Sequence, residues 1–235
     1  MRLVLFDIDG TLVHSSGAGR RALERALVDV YGTTGPIDRY DFAGSTDPQI
    51  VRDLLGAAGL PAADVVAGET RLFARYVECL EMEVGDGRGV KVYPGVAPLV
   101  EALAATEACV VGLLTGNLEA GAWIKLRSTG LWPRFRLGAY GSDHADRRRL
   151  PAIAARRAEA LMGHAFEGAD MVIIGDTPRD IDCARAFDAT CLAVATGRHG
   201  VDDLRGHAPD HLFPDLTDTR RVMAAILDGR IAGAR

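Results

Sequence analysis

The chain has 235 residues, 48% hydrophobic and 25% charged, with 27 basic against 32 acidic side chains and a formal net charge of −5. This ordinary globular composition, long enough to bury a core without disulfide staples, excludes a disordered or collagen-like chain. The acidic balance argues against nucleic acid as a partner, no apolar run reaches the roughly 18 residues of a membrane span, and Asp7 interrupts the first apolar run too soon for a signal peptide.

The first predicted element is a strand at residues 3–6, a short apolar run of the kind buried on both faces. From residue 16 to 82 no buried strand is expected. Residues 20–31 carry Ala22, Leu23, Ala26, Leu27 and Val30 as a helical stripe, and residues 50–55 and 65–82 also read as helices. Residues 84–91, with Gly85, Gly87 and Gly89, read as a linker or turn, after which the chain is expected to return to the sheet at Val92-Tyr93-Pro94-Gly95. A helix is then expected at 96–105, a strand at 110–114, helices at 118–128 and 150–161, and a strand at 171–174. A short helix at 181–187, a strand at 191–195 and a helix at 218–226 close the chain. Strands alternating with helices predict an α/β fold, a parallel sheet covered on both faces, with a helical unit inserted after the first strand.

The four cysteines, Cys79, Cys109, Cys183 and Cys191, form no CxxC pair. Reduced thiols and a cytoplasmic location are expected. Lys91 and Lys125 are the only lysines.

The chemistry-bearing residues follow the carboxyl ends of the apolar runs, where open α/β sheets place their ligands. Asp7 and Asp9 follow the first run, Thr115-Gly116-Asn117 the run at 110–114, and Gly175-Asp176 with Asp180 the run at 171–174. On an extended backbone Asp7 and Asp9, two residues apart, face one side. With Asp176 beside them, each like pair would cost roughly 4 kcal/mol at about 4 Å and an effective dielectric of about 20. Such a cluster needs a cation, and hard oxygen ligands favour magnesium, which shares its shell readily with phosphate. Taken singly, each feature also has an ordinary local reading: a capped turn for Asp7 and Asp9, and helix caps or first-turn acids for Thr115, Asp176 and Asp180. An EF-hand loop is excluded, because Leu12 and Ala18 stand where its Gly and Glu belong.

Phe6-Asp7-Ile8-Asp9-Gly10-Thr11, Leu113-Leu114-Thr115-Gly116-Asn117 and Gly175-Asp176 with Asp180 together resemble the first, second and fourth motifs of the haloacid dehalogenase-like hydrolase superfamily. Phe42-Ala43-Gly44-Ser45-Thr46-Asp47 and Tyr93-Pro94-Gly95 are similar to segments of its phosphoglycolate-phosphatase-like branch. The resemblance implies a Rossmann-like parallel sheet core, residues 1–15 and 84–235, with an inserted α-helical cap domain, residues 16–83. It implies a phosphatase acting on a small phosphate ester through an aspartyl-phosphate on Asp7, with Asp9 as general acid and base. It further implies Mg2+ held by the Asp7 carboxylate, the Asp9 backbone carbonyl and Asp176. Thr115 and Gly116, with Asn117 beside them, would bind phosphate, and Asp180 would support the metal site from outside.

The family's third motif normally carries a lysine, and none lies between Lys125 and Asp176. In the run Arg147-Arg148-Arg149, Arg147 best matches its spacing to the following helix, and a fork of permanent charge suits phosphate oxygens. A solvated basic turn is the other reading of that run.

Asp9 argues against dehalogenation, and Thr11 favours hydrolysis over the mutase branch. A phosphomutase and a non-catalytic phosphate or metal sensor on the same fold remain alternatives. Gly85, Gly87 and Gly89 make no dinucleotide fingerprint, since they follow no strand. His207 and His211, with Pro209 between them, read as a surface loop rather than a metal-binding helix. His14 is placed near the site entrance, and Arg20, Arg21 and Asp47 are candidate substrate contacts. The oligomeric state is not read from the sequence.

Overall fold

The computed structural model describes residues 1–228. Strand β1 (Arg2–Phe6) leads through a turn to the two-residue β2 (Val13–His14), and then into three helices, α1 (Ala18–Tyr31), α2 (Asp47–Ala57) and α3 (Ala62–Val84). After β3 (Lys91–Val92) the chain alternates: α4 (Val96–Ala104), β4 (Cys109–Leu114), α5 (Glu119–Leu126), β5 (Leu137–Ala139), α6 (Leu150–Met162), β6 (Met171–Gly175), α7 (Pro178–Arg185) and β7 (Thr190–Val194). It ends with α8 (Val201–Gly206), β8 (His211–Phe213) and α9 (Thr219–Asp228).

Six strands form one parallel sheet in the order β5-β4-β1-β6-β7-β8. Alternation along β1 divides its side chains between two cores. Val4 and Phe6 pack with α4, α5 and α9, whereas Leu3 and Leu5 pack with α6, α7 and α8. Both faces are covered, which is why the central strands read as unbroken apolar runs. A third cluster belongs to the helical insert: Ala22, Leu23, Ala26 and Leu27 of α1 meet Leu54 and Leu55 of α2 and Leu72, Tyr76 and Leu80 of α3. Leu118 and Ile124 join this cluster, so α5 serves both the sheet and the insert.

Three expectations are corrected. The chain does not return to the main sheet at Val92: Lys91–Val92 pairs antiparallel with Val13–His14 in a separate ribbon. Helix α7 begins at Pro178, three residues early, because Thr177 and Asp180 form a capping box and Pro178 fits a first turn. His211 lies in the edge strand β8 rather than in a loop. The edge strands β5 and β8, three residues each, are too short to stand out as apolar runs. Among the described residues the four cysteines are free, and no helix is long and apolar enough to cross a membrane.

Candidate active site

Parallel strands bring their carboxyl ends to one edge. β1 lies between β4 and β6, and the chain winds outward from it in both directions, so a crevice opens beyond these three strands. A cavity of about 570 Å³ occupies it, floored by Asp7, Asp9, Gly10, residues 115–117 and 176–177 and roofed by insert residues that include Leu23, Phe42, Asp47 and Tyr76.

On one side of the floor, Asp7, Asp176 and Asp180 are buried and each offers an oxygen within 4.8 Å of the others. Among the described residues one cation faces them. Arg147 Nη2 lies 2.5 Å from Asp180 Oδ1 and 3.3 Å from Asp7 Oδ2, and Nη1 donates to the Gly44 carbonyl at 3.1 Å. Arg147 thus stands where the missing lysine was sought, whereas Arg148 is exposed and pairs with Asp146. Burial pushes the Asp7 carboxyl up to about 6, with Arg147 opposing and Asp180 adding to the rise. Burial, together with Asp180 and Asp7, drives Asp176 well above the ordinary carboxylate range. Thr11 Oγ1 donates to Asp176 Oδ1 at 2.9 Å. Gly10, at φ +87°, leaves room for that carboxylate, where any Cβ would collide with it.

Three hard-oxygen donors against one guanidinium suit a small divalent cation. Asp180, however, has both oxygens engaged: Oδ1 accepts from Arg147 and Oδ2 from Thr177 N (3.0 Å) and Oγ1 (2.7 Å). It is built to hold Arg147 and the start of α7 in place.

The expectation that the Asp9 carboxylate joins Asp7 and Asp176 is overturned. The strand ends at Phe6, and residues 8–10 turn, so the pleat no longer orients Asp9. Its Oδ2 accepts from Lys125 Nζ at 2.5 Å and Asn117 Nδ2 at 2.9 Å, and Oδ1 from Ser15 Oγ at 3.2 Å. Enclosure would raise its pKa, but Lys125 and these hydrogen bonds hold it below the usual range. Lys125, which sequence reasoning gave no role, is the residue it missed. The available signal was its helical register with Leu118 and Ala122 on the buried stripe of α5.

Thr115 is fully buried at the end of β4. Its Oγ1 accepts from Asn117 N (3.3 Å) and Nδ2 (2.8 Å), which uses both lone pairs and leaves the hydroxyl proton to donate elsewhere. Gly116 admits the insert: a Cβ there would strike the Ser45 carbonyl oxygen. The adjoining loop is fastened to the core. Asp47 N donates to Gly116 O (2.8 Å), Asp47 Oδ2 accepts from Leu118 N (2.8 Å), and Thr46 Oγ1 donates to Ala145 O (2.5 Å). Asp47 therefore caps α5, and its buried carboxyl is pushed up to about 6. His14 and Arg20 line the cavity, Arg20 pairing with exposed Asp38. Arg21 instead pairs with Glu83 outside the lining.

A model of the family described as haloacid dehalogenase-like hydrolase matches residues 1–188. A phosphoglycolate phosphatase of Rhodospirillum rubrum is 30% identical over 223 residues, covering 92% of this chain and 90% of that protein. Another phosphoglycolate phosphatase, from Synechococcus elongatus, is 26% identical over 229 residues, covering 97% and 99%. The crystal structure of a hydrolase from Pseudomonas syringae shares the fold with a TM-score of 0.72, at 20% identity, covering 96% of this chain and 99% of that one.

Proposed function

The chain belongs to the haloacid dehalogenase-like hydrolase family, and on that premise we propose that it is a magnesium-dependent phosphatase acting on a small phosphorylated metabolite. The observation that carries this reading is the division of the site's acids. Asp7 and Asp176 lie in a cluster short of positive charge, while Asp9 stands apart with its own cation.

Asp7 and Asp176 would hold the metal, with the Asp9 backbone carbonyl as a further oxygen. Bound there, Mg2+ would neutralise charge between the Asp7 carboxylate and the incoming phosphate. Asp7 attacks phosphorus, and the ester bond breaks with its electron pair staying on the leaving oxygen. Asp9 relays a proton from the incoming monoanionic ester to that oxygen, then takes one from the water that hydrolyses the aspartyl-phosphate and releases it with the phosphate product, so its proton count is restored. The Thr115 hydroxyl and the Gly116 N–H hold phosphoryl oxygens, with Asn117 fixing the hydroxyl. Arg147 offsets the negative charge around Asp7, and Asp180 holds Arg147. The helical insert, taken as a cap spanning residues 16–83, closes over the leaving group and excludes water. The relatives' names make 2-phosphoglycolate the first natural ester to try.

The test is phosphate release from p-nitrophenyl phosphate and 2-phosphoglycolate, with magnesium or with chelator, by wild type and Asp7→Asn. Release that requires the metal and vanishes in the variant supports the reading. Turnover that survives in Asp7→Asn overturns it.

A further inference from the structure

We propose that Lys125 is a positioning residue of this site: with Asn117 it fixes the Asp9 carboxylate in the orientation that serves the leaving-group oxygen. The inference rests on the phosphatase reading and adds to it a residue that none of the four motifs contains.

Among the described residues the one other side-chain hydrogen bond to Asp9 is the longer one from Ser15 Oγ, at 3.2 Å. Asp9 sits in a turn beyond the end of β1, and its side chain is 42% exposed toward the cavity. A carboxylate so placed rotates freely unless donors fix it. Lys125 and Asn117 do so together as a closed ring. Lys125 Nζ donates to Asp9 Oδ2 at 2.5 Å and to Asn117 Oδ1 at 2.6 Å, and Asn117 Nδ2 donates to the same Asp9 oxygen at 2.9 Å. The ring also settles the Asn117 amide, because an ammonium tolerates only the amide oxygen beside it. Asn117 Nδ2 then reaches Thr115 Oγ1 at 2.8 Å. One buried ammonium therefore orients the proton-transfer carboxylate and, through Asn117, the hydroxyl set to hold phosphate.

Packing alone does not account for a lysine here. Its side chain is 5% exposed, on the face of α5 that also buries Leu118 and Ala122, where an aliphatic residue would pack without the cost of desolvating a charge. The insert covers the ammonium closely: even a Cβ at position 19 of α1 would stand in contact with it, 3.4 Å from Nζ and 3.6 Å from the Tyr76 hydroxyl. A group held from the core and covered by the insert is preorganised before substrate arrives.

The experiment compares wild type, Lys125→Met, Asp9→Asn and the double variant on two esters. p-Nitrophenyl phosphate has a leaving group that departs as a stable anion, while the aliphatic ester 2-phosphoglycolate needs a proton at its leaving oxygen. Lys125→Met is expected to lower kcat by ~100-fold on the aliphatic ester and by less than ~10-fold on p-nitrophenyl phosphate. In the Asp9→Asn background the same substitution is expected to cost less than ~3-fold further, because it acts through Asp9. Equal losses on the two esters, or additive losses in the double variant, overturn the inference and leave the phosphatase reading standing. Should Lys125→Met not fold, as checked by thermal melting, Lys125→Gln keeps a donor toward Asp9 and must show the same split at smaller size. Wild type that hydrolyses neither ester with magnesium present overturns the phosphatase reading and this inference with it.

Discussion

Two charge groups meet at the cavity floor, and they are balanced differently. On one side Asp7, Asp176 and Asp180 face, among the described residues, a single guanidinium, that of Arg147. On the other, Asp9 alone has the Lys125 ammonium, the Asn117 amide and the Ser15 hydroxyl. The first group is left with excess negative charge, so burial and mutual repulsion drive Asp7 and Asp176 toward their protonated forms. The second is compensated, and Asp9 is held ionised. The count of cations, more than the count of acids, separates the group suited to a metal from the one suited to moving a proton.

The largest effect should come from the nucleophile. Asp7→Asn is expected to reduce kcat by at least ~10⁴-fold in a p-nitrophenyl phosphate assay, as removal of a covalent-catalytic residue generally does. It should not lower the melting temperature of the metal-free protein, because it removes one charge from the overcrowded group. A marked loss of stability would mean that the carboxylates are better compensated than the comparison holds.

Arg147→Ala attacks the same group from the other side. Three buried carboxylates then keep no protein cation, and breaking a buried pair of this kind costs about 3–5 kcal/mol. Urea unfolding in chelator should show that loss, and added magnesium should recover part of it. Lys125→Met should cost less in the same measurement, since the Asp9 side chain it leaves unpaired opens to the cavity. Equal losses would erase the distinction between the two groups.

Titration gives the next effect. Asp47, outside both groups, is pushed from an ordinary 3.8 up to about 6 by burial, as is Asp7. A carboxyl whose folded pKa is raised binds more protons folded than unfolded between the two values, so stability falls as pH rises through that window. Metal-free protein should therefore lose stability as pH rises from ~4 through ~6, with Asp47 contributing about 3 kcal/mol of the fall at 1.36 kcal/mol per pKa unit. Asp47→Asn keeps an oxygen for Leu118 N and should flatten the slope by that share, read from urea midpoints across the range.

The sequence carried the main strands, the inserted helices and the acids at strand ends, because runs of Leu, Val and Ile and the turns after them are local signals. Arg147 too could be placed by its spacing to α6. What escaped was decided by distance in space. β5 and β8 are edge strands of three residues, and their pairing partners lie more than fifteen residues away. The bond from Lys125 to Asp9 spans 116 residues and forms only because α5 crosses beneath the insert. The i, i+2 argument placed Asp9 with Asp7 by assuming that the strand continued, whereas the turn at Gly10 sends its carboxylate to the other group.

The smallest effect is the most delicate test of how Asp9 is held. Ser15 Oγ donates to Asp9 Oδ1 at 3.2 Å, a longer bond than those from Lys125 and Asn117, and it is the only one of the three that reaches Oδ1. If the ring on Oδ2 fixes the carboxylate, Ser15→Ala removes one part-buried hydrogen bond worth about 1 kcal/mol and should lower kcat on an aliphatic ester by no more than ~5-fold, with KM unchanged. If Ser15 were instead the group that aims the reactive oxygen, its loss would match that of Lys125→Met and would grow with the basicity of the leaving group. Steady-state kinetics on a series of esters with graded leaving groups separates the two, because a carboxylate still held by lysine keeps the wild-type dependence on leaving-group pKa and a misaimed one does not.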